Sequence, residues 1–245
     1  MPGVTSTSTH IATGNTARRA LLRAVLAGGA ALGAGTALST SPAVAAGPTH
    51  RPTTPQAALR ELRRGNHRWA TRHQTHPHEA GTDRLLAVSG QHPFALVLGC
   101  IDSRVPPELV FDQGLGDLMT VRSAGCVLDE AVLGSIAYGV LELDIPLVMV
   151  VGHASCGAVT AAVHAAETGD ELPAHIAYVA EQIRPAIDHS QTGPARVDAT
   201  ITANVRLVRS RLAAEHDLAE RTATGRLAIV GARYELGTQE VRLVP

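Results

Sequence analysis

The stretch "FALVLGCIDSRVPPE", residues 94–108, decides the fold, because it joins a buried strand to reactive side chains. Residues 94–99 are continuously apolar, as expected of a strand in a parallel sheet that is covered on both faces. Cys100 follows this run, and Asp102 and Arg104 come within the next four residues. The stretch therefore predicts an α/β fold with chemistry at the end of a central strand.

A second apolar run, "PLVMVVG" at residues 146–152, leads directly into another pair of reactive side chains. His153 follows the run, and Cys156 comes three residues later, where a helix is predicted to begin. In sheets of this class, ligands gather at the carboxyl ends of the strands. We therefore expect Cys100, His153 and Cys156 to meet at one edge of the sheet.

The rest of the chain alternates between strand and helix patterns. Further strands are predicted at residues 118–122, 226–233 and 240–243, and helices at residues 55–70, 129–143, 156–168, 173–188 and 197–222. Thr54 is the expected N-cap of the first helix, since a proline follows it at the first helical position. This alternation predicts a mainly parallel central sheet flanked by helices.

Composition narrows the possible functions. The chain has 245 residues, of which 45% are hydrophobic, so it can bury the core of one domain. A net charge of -1 gives no reason to expect a nucleic-acid partner. The sequence contains no lysine, which excludes a lysine nucleophile or Schiff base.

The N-terminus has the pattern of an export signal over residues 1–45. The paired arginines of "ARRALLR", residues 17–23, precede an apolar run over residues 24–38 and the small-residue "AVA" that ends at Ala45. This pattern is typical of a twin-arginine signal and predicts a protein exported to the cell envelope or exterior, without stable membrane association after cleavage. A retained membrane anchor is the alternative, although the run of about 15 residues is shorter than the roughly 20 that span a bilayer.

We expect the signal to be followed by a linker over residues 46–54 and then by one catalytic domain over residues 55–245. The linker prediction rests on the segment from Gly47 to Pro55, which includes three prolines, at residues 48, 52 and 55, and has no apolar pattern.

Two thiolates and one imidazole are a ligand set that suits zinc. Three protein ligands leave a fourth position open, as in catalytic rather than structural zinc sites. Both the cysteine and the charged pair also have a structural interpretation. A cysteine that ends a strand is often a small buried apolar residue. Asp102 and Arg104 could be an ion pair that caps the next helix. Three cysteines cannot form a closed disulfide framework, and the remaining one, Cys126, is expected to be a buried or partly buried free thiol, with an intersubunit or redox role as the alternative.

The paired motifs C-x-D-x-R and H-x-x-C, with "VRSAG" and "GSIAYGVLELDIPLVMVVGH" between them, resemble the β-class carbonic anhydrases. The similarity extends from "GNHRW" at residue 65 to "GARYELGTQEV" near the C-terminus. It implies one Zn2+ per chain on Cys100, His153 and Cys156, and reversible hydration of carbon dioxide to bicarbonate by a zinc-bound hydroxide. Asp102 and Arg104 would be the orienting catalytic dyad. In a closed form of the family, Asp102 becomes a fourth zinc ligand.

The same resemblance implies a substrate pocket that lies partly across a subunit boundary. Its expected members are Gln91, Val97, Met119, Tyr138 and Gly157. Val97 stands where the regulated branch of the family has a tryptophan, which favours the constitutively open type. Met119 replaces the usual phenylalanine, and Cys126 replaces the usual asparagine or histidine after "AG", so the shape of this pocket departs from the family pattern.

The family also implies a homodimer or a dimer of dimers, with the N-terminal helix as an arm on the partner. Two alternative functions remain open from the sequence. One is a hydrolase of carbonyl sulfide or carbon disulfide on the same fold, which would keep the ligands and the dyad. The other is a non-catalytic zinc-binding or thiol-sensing module.

Overall fold

The computed structural model describes residues 51–245, so the predicted export signal and residues 46–50 of the predicted linker lie outside the described residues. Within residues 51–245 the strands form one five-stranded sheet in the order β2-β1-β3-β4-β5. The strands are β1 Ala95–Cys100, β2 Leu118–Ser123, β3 Leu147–His153, β4 Ala228–Tyr234 and β5 Val241–Val244. The first four are parallel, and β5 runs antiparallel to β4 at the edge of the sheet.

All five predicted strands are confirmed, with ends that differ from the predicted ones by at most two residues. Both apolar runs form strands that are buried along their whole length, β1 and β3, and these strands lie side by side in the middle of the sheet. This position explains the absence of polar alternation, since helices cover both faces.

Eight α-helices flank this sheet in the described part of the chain. They are α1 Pro55–Ala70, α2 Gly81–Ala87, α3 Pro107–Val110, α4 Glu130–Leu141, α5 Gly157–Thr168, α6 Ala174–Ile183, α7 Gly193–Ala213 and α8 His216–Ala223, with 3-10 turns at Ala124–Cys126 and Arg184–Ala186. Both bounds of α1 match the prediction, and the Thr54 hydroxyl accepts a hydrogen bond from the Ala57 amide at 3.3 Å, as expected of its N-cap.

The prediction of one helix over residues 197–222 is wrong. The chain turns at Ala214 and Glu215 and divides this region into α7 and α8. Leu212 and Leu218 are both buried in the same core cluster. Six residues apart on a continuous helix, they would face different directions, so the turn allows both side chains to reach the core.

The two faces of the sheet bury separate apolar clusters. Alternate residues of β1 point to opposite faces: Leu96, Leu98 and Cys100 join the cluster beneath α4, α5 and α7. Ala95 and Val97 join the cluster that α1 and α3 cover. The Cys100 side chain at the end of β1 therefore lies on the face of the sheet that α5 and α7 cover.

Helix α1 packs closely against other parts of its own chain and is hydrogen-bonded to them. Gly65 lies so close to α3 that an added Cβ would fall 1.7 Å from the Phe111 carbonyl oxygen. The buried amide of Asn66 donates to the carbonyls of Val110 and Gln239 and accepts from the Val241 amide at 2.7 Å. The apolar side of α1 therefore belongs to the core of its own domain.

The described part of the predicted linker is also attached to the domain. The Arg51 guanidinium donates to the carbonyl of His92 at 2.9 Å and to that of Gly116 at 2.5 Å, and it pairs with the buried Asp117 at 3.3 Å.

Among the helices that the structure describes, none is long and apolar enough to cross a membrane.

Candidate metal centre

The structure brings Cys100, His153 and Cys156 together, as the sequence predicts. Cys100 and His153 are the last residues of the adjacent parallel strands β1 and β3, and Cys156 is the N-cap residue of α5. Their ligand atoms all lie within 4.8 Å of one another, and the two sulfurs are 3.9 Å apart. All three side chains are buried.

The state of His153 fits a metal ligand. Its Nδ1 lies 3.0 Å from the Ala154 carbonyl oxygen, which places a proton on Nδ1 and leaves the lone pair on Nε2. Nε2 is buried and has no hydrogen-bond partner among the described atoms. Because buried polar atoms are nearly always paired, an unpaired imidazole nitrogen beside two sulfurs fits zinc, which favours nitrogen and sulfur donors.

The two thiols are coupled through their contact. The hydrogen bond from Cys156, helped by His153, lowers the pKa of Cys100 to about 4 although burial opposes the shift. The same contact and burial raise the pKa of Cys156. Burial alone would lower the pKa of His153, but the nearby Cys100 sulfur and its negative charge outweigh burial and raise it. The lowered pKa of Cys100 favours metal capture, because zinc binds the deprotonated sulfur.

Asp102 and Arg104 form a bidentate ion pair beside the three ligands. Arg104 Nε donates to Asp102 Oδ1 at 2.9 Å, and an Nη donates to Oδ2 at 2.7 Å. The Arg104 backbone amide also donates to Oδ1 at 2.9 Å. These bonds hold the pKa of Asp102 well below its usual range, so the carboxylate is ionised at neutral pH.

This carboxylate faces the ligands while it remains bound to Arg104. Its Oδ2 lies 3.8 Å from the unpaired His153 Nε2. The alternative interpretation, that the ion pair caps the next helix, is wrong: the N-cap of α3 is Pro106, and no side chain caps it. The pair is available to act at the metal site.

Arg122, on β2, is a site residue that the sequence interpretation missed. Its Nε donates to the Cys100 carbonyl at 2.9 Å, and an Nη donates to the Asp102 carbonyl at 2.7 Å. Arg122 thereby fixes the backbone that carries both side chains. The available signal was an arginine near the end of a predicted strand, because ligands were expected at the carboxyl ends of the strands.

A second support lies behind Cys100, in the turn Ala124–Cys126. The Gly125 amide donates to Cys100 Sγ at 3.4 Å, and the buried Asn204 of α7 donates through Nδ2 to the Gly125 carbonyl at 2.8 Å. Cys126 is a buried free thiol, as predicted, and its Sγ donates to the Val151 carbonyl at 3.4 Å. Burial raises the pKa of Cys126, so it remains protonated.

Within one chain the residues of the predicted pocket lie apart, and their meeting across a subunit boundary stays a prediction. Met119 and Tyr138 share an open groove of about 670 Å³ between β2 and α4, which Arg122 also lines. Gly157 begins α5 next to Cys156, with open space where a Cβ would stand. Gln91 is exposed in the loop before β1.

Val97 does not line the site. It is fully buried in the cluster that α1 covers, on the opposite face of the sheet from Cys100. The physical reason is the period of two along β1, which sends residues 97 and 100 to opposite faces.

A family model and the curated relatives that match this chain all carry the same description. A family model described as carbonic anhydrase matches residues 95–241, a range that includes the three ligands and the Asp102–Arg104 pair. Carbonic anhydrase 2 of Mycobacterium tuberculosis is 42% identical over 186 residues, which cover 75% of this chain and 90% of that protein. A carbonic anhydrase of Mycolicibacterium smegmatis is 40% identical over 191 residues, covering 77% and 93%.

Solved structures agree on the fold. The β-carbonic anhydrase CafA of Aspergillus fumigatus aligns with a TM-score of 0.61 at 25% identity, over 77% of this chain and 89% of that one. A tetrameric β-carbonic anhydrase of Sordaria macrospora gives a TM-score of 0.61 at 21% identity, over 76% and 96% of the two chains.

Proposed function

The chain belongs to the β-class carbonic anhydrases, and on that premise we propose that it catalyses the reversible hydration of carbon dioxide to bicarbonate and a proton, with one Zn2+ per chain. The observation that carries the proposal is the unpaired, buried His153 Nε2, which lies beside two thiols and 3.8 Å from an ionised carboxylate.

Cys100, His153 and Cys156 would hold the zinc. When bound, zinc supplies a Lewis acid that lowers the pKa of water to about 7. The chain's own residues then have to orient the nucleophilic oxygen and keep its lone pair directed at the carbon of the substrate.

Asp102 is suited to that orienting role. Because Arg104 keeps it ionised, it can accept a hydrogen bond from the nucleophile but cannot donate one. The bidentate contact with Arg104 fixes the plane of the carboxylate, and an Nη of Arg104 also donates to the Ser155 carbonyl at 3.3 Å. Arg104 therefore ties the turn after β1 to the loop that carries Cys156.

A matched pair of cysteine variants tests the metal assignment. We expect close to one zinc per chain in the wild-type protein and in Cys126→Ser, because Cys126 is buried but is not among the three clustered ligands. Cys156→Ser should lose zinc and carbon dioxide hydration together, as measured by metal analysis and stopped-flow kinetics. Zinc retained in full by Cys156→Ser, or absent from the wild type, would refute the ligand set.

The substrate is tested in the same preparation. We expect carbon dioxide hydration to exceed sulfide release from carbonyl sulfide or carbon disulfide. The opposite ranking would assign the site to the sulfur-containing substrates.

For the assembly, the proposal is a homodimer or a dimer of dimers. β2 is an edge strand, and the groove between β2 and α4 is open, with Tyr138 51% exposed. The expected result is a dimer or tetramer by light scattering, and a Tyr138→Glu variant of lower mass. A wild-type monomer at micromolar concentration would contradict this assembly.

Export by the twin-arginine route is also part of the proposal, and it is supported by the sequence pattern at Arg18 and Arg19. This route moves folded proteins, so zinc could be loaded before export. Fractionation of cells that express the full chain should find the protein outside the cytoplasm, and R18K/R19K should retain it inside. Equal export of both would contradict the assignment.

A further inference from the structure

The turn behind Cys100 has an unusual backbone. Two consecutive residues of the turn Ala124–Cys126 have left-handed dihedrals, Gly125 with φ 63° and Cys126 with φ 58°. Glycine adopts this region freely, but for a residue with a Cβ it is sterically unfavourable. Such a turn persists only when its surroundings hold it in place.

The turn has a direct role at the metal site. It aims the Gly125 amide at the Cys100 sulfur, 3.4 Å away. A hydrogen bond to a thiolate withdraws electron density from the sulfur, and outer contacts of this kind tune both the affinity and the electronic properties of a bound metal.

Asn204 holds the turn from the opposite side. It lies on α7, is only 4% exposed, and donates through Nδ2 to the Gly125 carbonyl at 2.8 Å. Its Oδ1 is buried without a hydrogen-bond partner among residues 51–245, and the side chain lines the same small cavity as Cys100, His153 and Cys156. An amide left half unpaired in a core is costly, which indicates that its position serves the site.

We propose that Asn204 is a positioning residue for the metal centre: by holding the Gly125 carbonyl, it fixes the Gly125 N–H on the Cys100 sulfur and so sets the affinity and donor strength of the site. The inference rests on the proposed function, since it assumes that zinc binds Cys100, His153 and Cys156. It assigns no contact between Asn204 and the substrate.

If Asn204 only stabilised the fold, its substitution would affect zinc affinity no more than loss of another buried polar contact on α7. Substitution of Thr200 is the control for this possibility. Thr200 lies one turn earlier on α7, is fully buried, and accepts a hydrogen bond through Oγ1 from the Asp188 amide at 3.3 Å. Thr200→Val therefore removes a buried polar contact from the same helix without touching the turn that faces Cys100.

The experiment compares Asn204→Ala, Asn204→Leu and Thr200→Val in the full chain. Zinc affinity is measured by competition with a chelator, and the cobalt-substituted proteins are compared by the absorption band for charge transfer from thiolate to cobalt. We expect both Asn204 variants to bind zinc about 10–100-fold more weakly and to shift this band. Thr200→Val should lower the melting temperature but leave zinc affinity and the cobalt band unchanged.

Three outcomes overturn the inference. The first is zinc affinity within about threefold of wild type together with an unchanged cobalt band in both Asn204 variants. The second is an equal loss of affinity in Thr200→Val. The third is failure of both Asn204 variants to fold while Thr200→Val folds, which would assign Asn204 to stability alone. Wild-type protein that binds no zinc would instead refute the proposed function.

Discussion

At the scale of single residues, the site separates into side chains that would touch the metal and side chains that orient them. The three ligands are visible in the sequence because each lies at or just beyond the end of an apolar strand. Their supports are harder to find. Asn204 reaches Gly125 across 79 positions of sequence, and no local pattern specifies which polar residue of a long helix will meet a given turn.

Removing the guanidinium of Arg104 should separate orientation from metal binding. We expect Arg104→Ala to reduce carbon dioxide hydration by about 10–100-fold with zinc still bound, because Arg104 contacts Asp102 and the Ser155 carbonyl but none of the ligand atoms. Stopped-flow kinetics and metal analysis measure the two properties. Arg226→Ala, which breaks a surface ion pair with Glu220, is the control and should match the wild type.

The pH dependence of this variant follows from the Asp102 carboxyl. In the wild type, the hydrogen bonds from Arg104 lower its pKa, so protonation affects Asp102 only below the ordinary value of about 3.9. In Arg104→Ala the pKa rises toward that ordinary value, and Asp102 remains ionised above about pH 6. The loss of rate should therefore be constant between pH 6.5 and 9. A loss that grows toward pH 6.5 would show that protonation, rather than orientation, limits the variant.

At the scale of elements, sequence patterns predict strands better than they predict helix interruptions. The five strands are confirmed because apolar runs and turn residues are local signals. The break between α7 and α8 was missed because it depends on where Leu218 finds the core, which only the packed structure determines. Helix α2 was also missed, as a short segment of seven residues with little apolar periodicity.

The contact between α1 and α3 depends on one glycine. We expect Gly65→Ala to lower the free energy of unfolding by about 1–3 kcal/mol, the usual cost of overpacking, because the new Cβ would fall 1.7 Å from the Phe111 carbonyl oxygen and force α1 away. Urea denaturation measures the change.

Gly81→Ala is the matched control, since a Cβ at the first residue of α2 meets nothing within 4 Å. It should leave stability unchanged or raise it slightly, because alanine restricts the unfolded chain more than glycine does. Equal stability of Gly65→Ala and wild type would contradict the close approach of α1 to α3.

At the scale of the whole molecule, the metal site joins elements that are far apart in the chain. Its ligands come from the ends of β1 and β3 and the start of α5, and its supports come from β2 and α7. The sequence predicted the parallel sheet that makes this convergence possible. It could not predict the order β2-β1-β3-β4-β5, which places β1 and β3 side by side, because strand order depends on contacts between distant segments.

Because the ligands connect separate elements, zinc should stabilise the folded domain as a unit. A ligand that binds only the native state stabilises it by about 2.7 kcal/mol at a free concentration of 100 times its dissociation constant. We therefore expect chelation to lower the melting temperature of the wild type by several degrees, and zinc to restore it, as measured by calorimetry. Cys126→Ser should show the same zinc-dependent shift, whereas Cys156→Ser should show little or none. A melting temperature of the wild type that does not respond to zinc would mean that zinc does not bind preferentially to the folded domain, which would contradict the metal site.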